Sequence, residues 1–185
     1  MYGVLFAVML TTGLRPSEAL GLKWDDLQGV TLRIQRSIEH NGNGWNFGSL
    51  KTPKARRSVS VPSSLLIRLK AHRIKQAKQK LSAGADYQDH GLIFATPEGQ
   101  PLDLANIRQR HFKPILQKAG LPDIRMYDLR HTCATLLLAA GENVKVVSER
   151  LSHASVAMTL DNYAHVLPDM QQQATDKLES MLYGG

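Results

Sequence analysis

The sequence contains a single cysteine, Cys133, among 185 residues. One thiol cannot close a disulfide within the chain, and without a Cys-x-x-Cys pair there is no thiolate zinc knuckle. That pattern fits a reducing, cytoplasmic setting. Aromatic residues make up only 6% of the chain, so the core must be mainly aliphatic. Long apolar runs are also missing. Val4–Leu10 is apolar, but Thr11-Thr12-Gly13 ends it well short of the roughly 20 residues that span a bilayer. No basic segment precedes it, which argues against a secretory signal. The chain opens inside a helix-like segment, so we expect it to be part of a longer protein. It has no Gly-x-x-x-x-Gly-Lys-Ser/Thr loop and no βαβ alternation, which argues against P-loop and Rossmann nucleotide sites. Neither an internal repeat nor a low-complexity tract occurs. Acids are in deficit: 16 against 23 lysines and arginines, a net charge of +7. This excess suits a polyanion, whose counterions binding would release. On charge alone, a merely basic protein is an equal reading.

The periodicities are mostly helical. Residues 2–12 are apolar on nearly every face and read as a buried helix closed by Gly13. Pro16 suits a first turn, and Ser17–Leu22 reads as a short helix. Thr31–Ile38 alternates as a half-buried strand does, and Asn41-Gly42-Asn43-Gly44 is a turn signal. With Trp45–Leu50 and Ser58–Val61 it predicts one small three-stranded antiparallel sheet. Helix returns over 63–82, with Leu65, Leu66, Leu69 and Leu81 toward the core. Lys70, Arg73, Lys75, Lys78 and Lys80 crowd its other faces, as on many solvated helices. A further helix holds Leu104, Ile107, Ile115 and Leu116 and ends at Gly120. Tyr127–Ala140 places Leu129, Thr132, Leu136, Leu137 and Ala140 at helical spacing. Helices follow over Val144–Leu151 and 156–163. After Pro168 an amphipathic helix carries Met170, Ala174, Leu178, Met181 and Leu182. The fold class is mainly α with one small sheet.

Phosphoryl transfer requires an attacking oxygen, cations for the non-bridging oxygens and a proton donor for the leaving oxygen. Arg15, Arg130, His153, Tyr163 and several lysines could supply these. Each alone has a plainer reading. Arg15 and Glu18, three residues apart, read as a surface salt bridge. Arg130 opens an apolar helix and needs a partner such as Asp128. A lone His153 is a cap or packing residue, and a lone Tyr163 is packing.

Their order is far more specific. Gly-Leu-Arg-x-x-Glu at 13–18, Lys-Thr at 51–52, Asp-Leu-Arg-His-Thr at 128–132, Leu-x-His at 151–153 and Thr-x-x-x-Tyr-x-His at 159–165 follow one another. Together they resemble the catalytic domain of the tyrosine recombinases, the phage-integrase family, over residues 3–168. The resemblance implies that Arg15 and Arg130 clamp the scissile phosphate and that His153 hydrogen-bonds it. It makes Lys51 the proton donor to the leaving 5′ oxygen. It makes Tyr163 the nucleophile that forms a 3′-phosphotyrosyl bond. Glu18 supports the first arginine, and His131 is structural. Tyr127 stands where the family usually has histidine. A phenol titrating near ~10 donates to a phosphate oxygen but makes a poor base. Ser152 stands where glycine is common.

The resemblance further implies double-stranded DNA as partner, and the basic residues Lys54, Arg56, Arg57 and those along 70–80 are candidates for its backbone. It implies no metal, no cofactor and no membrane. A DNA-binding domain would precede this one. The catalytic domain would be residues 1–168, and the helix of 169–185 would dock on a neighbouring subunit. Four copies would act on DNA, against a monomer when free. The implied protein is a mobile-element integrase of bacterial or phage origin. Two other readings keep the fold: a binding protein without chemistry, and a type IB topoisomerase-like enzyme.

Overall fold

The computed structural model describes residues 1–41, 44–50, 55–164 and 170–183. Helix α1, Tyr2–Thr12, is the predicted apolar segment and buries Leu5, Val8, Met9 and Thr12. It stops because Gly13 turns left-handed, with φ 71°. Helix α2, Pro16–Leu20, follows with Pro16 in its first turn. The Glu18 carboxylate reaches back to accept the Arg15 N–H at 2.9 Å, a capping interaction that fixes the entry to the helix.

The β region departs from expectation. The stretch predicted as one strand is two, β2 (Thr31–Ile34) and β3 (Arg36–Asn41), following a short β1 (Leu27–Gln28). The order β1-β2-β5 makes an antiparallel three-stranded sheet, with β5 at Arg57–Ser60. Strand β4, Gly44–Ser49, pairs with β3 in a separate hairpin. So a three-stranded sheet exists, but its third strand is Leu27–Gln28 and not the 45–50 segment. The registers explain the split. β5 leaves the ladder at Ile34↔Arg57, β4 joins it at Arg36↔Ser49, and Gln35 pairs with neither.

Helix α3, Ser63–Ala83, lays a stripe of Leu65, Leu69, His72 and Gln76 inward. Leu81 was expected on that stripe but is 83% exposed, because the helix outruns the core after Gln76. The predicted helix ending at Gly120 is one path in three pieces: α4 (Leu104–Ile107), a π turn (Arg108–Phe112) and α5 (Lys113–Lys118). Pro114, which has no N–H to give, stands in the first turn of α5 just after the π turn.

Helix α6, Asp128–Ala139, buries Arg130, Cys133, Ala134 and Leu138. Of the residues at helical spacing, Leu129 and Leu137 pack against the two cores while Thr132, Leu136 and Ala140 face out. The buried face of the helix includes a charged residue, Arg130, which the apolar pattern alone does not mark. Helices α7 (Val144–Leu151) and α8 (Val156–Tyr163) are capped by Asn143 and Ser155, whose side chains accept from Lys145 N and Met158 N. Helix α9 is Met170–Tyr183.

Two apolar clusters result. The larger joins α1, β2, α3 and the 92–102 segment through Leu5, Met9, Leu32, Leu69 and Phe94. The smaller holds Ala134, Leu138, Val147, Leu151 and Tyr163 from α6, α7 and α8. Among the described residues no helix is long and apolar enough to cross a membrane.

Candidate active site

The seam between the clusters is laced by arginines that bond the carbonyl ends of two helices. Arg130 is 1% exposed. Its Nη1 donates to Gly13 O, just past α1, at 2.7 Å, and its Nη2 donates to Leu151 O at the end of α7. Arg57 Nε donates to Arg150 O at 2.7 Å, and Arg150 Nη2 to Thr11 O at 2.7 Å. Carbonyls at a helix C-terminus lack intrahelical donors and carry partial negative charge, so guanidinium groups suit them. Gly13 is held to its place twice over. A Cβ there would come within 2.5 Å of Leu151 Cδ2, and its φ is one that side chains disfavour.

Glu18 organises the other side of the seam. It is 1% exposed and pairs with Arg57 Nη2 at 2.9 Å and with Arg15 Nη1 at 2.8 Å. Burial pushes its carboxyl upward, but the hydrogen bond and charge of Arg57, then Arg15, outweigh this and hold it below the usual range. Arg15 keeps part of its side chain in solvent. Arg57 was expected on the DNA backbone. Here it is turned inward with its fork occupied, while Arg56 is exposed. Lys51, Lys54 and His165 lie outside the described residues.

Burial, then the neighbouring Arg15 charge, brings Arg130 down to about 10, so it stays protonated at neutral pH. Burial, then Arg130 and Arg15, lowers His153 to about 4. Its neutral ring turns Nδ1 to Thr159 Oγ1 at 2.7 Å. In the tautomer where Thr159 donates to Nδ1, Nε2 carries the proton and can donate to an anion before it.

Tyr163 is 3% exposed, and burial raises its phenol. Its hydroxyl lies 2.8 Å from His131 Nδ1. Tyr127 packs edge-on to His131 with centroids 5.3 Å apart. The structure thus joins His131 to Tyr163, and Arg15 to Glu18. It gathers Arg130, His153 and Tyr163 where α6, α7 and α8 meet. Ser152 has φ 57°, which explains why glycine suits that position.

Beside the site, a cleft of about 790 Å³ is walled by Arg15, Tyr127, Arg108, Arg125, His40 and Trp45. Sequence reasoning missed Arg108 and Arg125, which no motif flags. It also missed the role of Thr159, although the i, i+4 spacing to Tyr163 puts both on one helix face. Among the described residues no group of three or more His, Cys, Asp or Glu could hold a metal.

Comparison with known proteins gives the class. The chain belongs to the phage integrase family, matching it over residues 2–170. It is 37% identical to a protein named tyrosine recombinase XerC-like from Caldanaerobacter subterraneus subsp. tengcongensis, covering 96% of this chain and 49% of that one. It is 32% identical to the ICEBs1 integrase of Bacillus subtilis, covering 98% and 50%. The chain therefore spans about half the length of these relatives. The Tn1549 transposon integrase in complex with transposon right end DNA matches with TM-score 0.78 at 22% identity, over 95% of this chain and 58% of that one. XerH site-specific recombinase bound to palindromic difH substrate matches with TM-score 0.68 at 24% identity, over 96% and 46%. At these identities the likeness is one of fold, and it agrees with the mainly helical recombinase-domain expectation.

Proposed function

We propose that this chain is the strand-cutting and rejoining domain of a site-specific DNA recombinase, with Tyr163 as nucleophile. The observation that carries the reading is a tyrosine hydroxyl, hydrogen-bonded to a neutral imidazole, in one pocket with a buried arginine and a second neutral histidine. Arg15 and Arg130 would hold the non-bridging phosphate oxygens, and His153 Nε2–H would donate to one of them. Glu18, itself held by Arg57, fixes Arg15 in place. Lys51, by resemblance, would protonate the leaving 5′ oxygen. The covalent phosphotyrosine conserves the bond energy, so resealing needs no ATP. The two arginines supply the positive charge that a metal supplies elsewhere, so the reading requires no cofactor. Double-stranded DNA would lie along the cleft, meeting Arg15, Arg108, Arg125 and exposed Arg56.

A tetramer on DNA is part of the same reading. Leu178, Met181 and Leu182 on α9 are 57%, 85% and 62% exposed, an apolar strip suited to a neighbouring subunit. The test incubates the intact protein, and Tyr163→Phe, with a pool of nicked duplexes of randomised sequence. A denaturation-resistant adduct from wild type alone, formed equally in EDTA, is expected, and the captured duplexes would define the site. No adduct, or adduct from both proteins, would reject the reading.

A further inference from the structure

Tyr163 needs somewhere to send its proton, and the residue at the usual histidine position, Tyr127, is itself a phenol. The groups around the Tyr163 hydroxyl narrow the choice. His153 has its Nδ1 committed to Thr159, and its ring lies parallel to Tyr163 with centroids 6.5 Å apart. The imidazole that meets the hydroxyl is that of His131, at 2.8 Å through Nδ1. We propose that His131 accepts the Tyr163 proton during strand cleavage and returns it during rejoining. This rests on the reading that Tyr163 is the nucleophile.

The surroundings suit the role. Burial, then the charges of Arg130 and Arg125, keep the His131 ring neutral, with Asp128 opposing more strongly than either arginine but less than burial. Tyr127 packs against one side of the ring, Tyr163 lies on another, and His153 is close enough for the two histidines to oppose each other's charge. A neutral ring with a lone pair on Nδ1 has its proton on Nε2. Consecutive positions on α6 then divide the work, since a helix turns about 100° per residue. Arg130 points to the seam and His131 to the nucleophile.

The step balances. The Tyr163 O–H proton passes to His131 Nδ1 as the phenolic oxygen bonds to phosphorus. The bond from phosphorus to the 5′ oxygen breaks, and that oxygen keeps the electron pair and takes a proton from the general acid, Lys51 in the reading above. Rejoining reverses each movement, and the released Tyr163 oxygen recovers its proton from the imidazolium. Transfer accompanies attack, because bonding to phosphorus acidifies a phenol that burial otherwise makes reluctant to ionise.

The test is single-turnover cleavage of a captured nicked duplex by wild type and His131→Asn. Asparagine can accept a hydrogen bond from Tyr163 but cannot take its proton. We expect a loss on the order of 100-fold at neutral pH. The variant's rate should then climb about tenfold per pH unit above neutrality, as hydroxide replaces the missing base, while wild type stays level. A substrate with sulfur at the bridging 5′ position needs no leaving-group proton. It should rescue Lys51→Ala and leave His131→Asn slow. A His131→Asn protein as fast as wild type, or one rescued by the sulfur substrate, would overturn the proposal, as would a loss unchanged with pH. Nitrogen-15 NMR of the wild-type histidines tests it without a variant: a protonated Nδ1 on His131 at neutral pH would also overturn it. No adduct from wild type would remove the parent reading and this one together.

Discussion

A histidine held near pKa 4 leaves a signature in stability as well as in chemistry. His153 is neutral in the native state between that value and its ordinary 6.5, where the unfolded chain is protonating. The unfolded state then binds more protons, so stability falls as pH drops from 6.5 toward 4. We expect His153→Gln to flatten this part of a thermal-midpoint curve. Wild-type and variant curves that stay parallel from pH 7 to 4 would contradict the assigned environment. His72 and His131 are also depressed by burial, but both proteins retain them, so the difference reports His153. At this scale the sequence was informative where partners are near neighbours. Arg15 with Glu18 follows from a spacing of three. Arg57 was misread because its partner Glu18 lies 39 residues away, and only the fold shows that its fork is taken. His131, read as structural, meets the Tyr163 hydroxyl, a contact that no spacing in the sequence could show.

Helix boundaries were largely legible, because glycine, proline and capping residues act locally. Gly13 and Pro16 mark ends that the structure keeps, and the helices read at Val144–Leu151 and 156–163 have those same bounds. Faces and strand partners were less legible. Leu136 on α6 is exposed while Arg130 is buried, an inversion that comes from the carbonyls Arg130 serves on two other helices. The division of 31–41 between two sheets depends on partners further along the chain. Helix α9 is an element whose exposed apolar side chains ask for a partner. Replacing Leu178, Met181 and Leu182 with serine should leave the isolated protein's melting unchanged. It should reduce higher-order complexes on DNA by about tenfold or more, read by sedimentation. Unchanged assembly would separate this helix from subunit contact.

Across the whole molecule the +7 charge acts through position. Arg108 and Arg125 stand on the cleft wall beside Arg15. If DNA lies there, exchanging both for alanine should weaken binding alike on every sequence. It should also lower the slope of log affinity against log salt by about 2. An unchanged slope would move the DNA path away from this cleft.

Arg130 belongs to this scale too. It joins the ends of α1 and α7, its charge acts on His153 and Tyr163, and in the proposed reaction the same side chain would hold the phosphate. Removing it strands two carbonyls inside the seam, and the loss of chemistry would arrive together with a loosened frame. A silent but sound form of this domain is therefore better made at the Tyr163 hydroxyl, where a single oxygen can be deleted and the ring still fills its place among Ala134, Leu138, Val147 and Leu151.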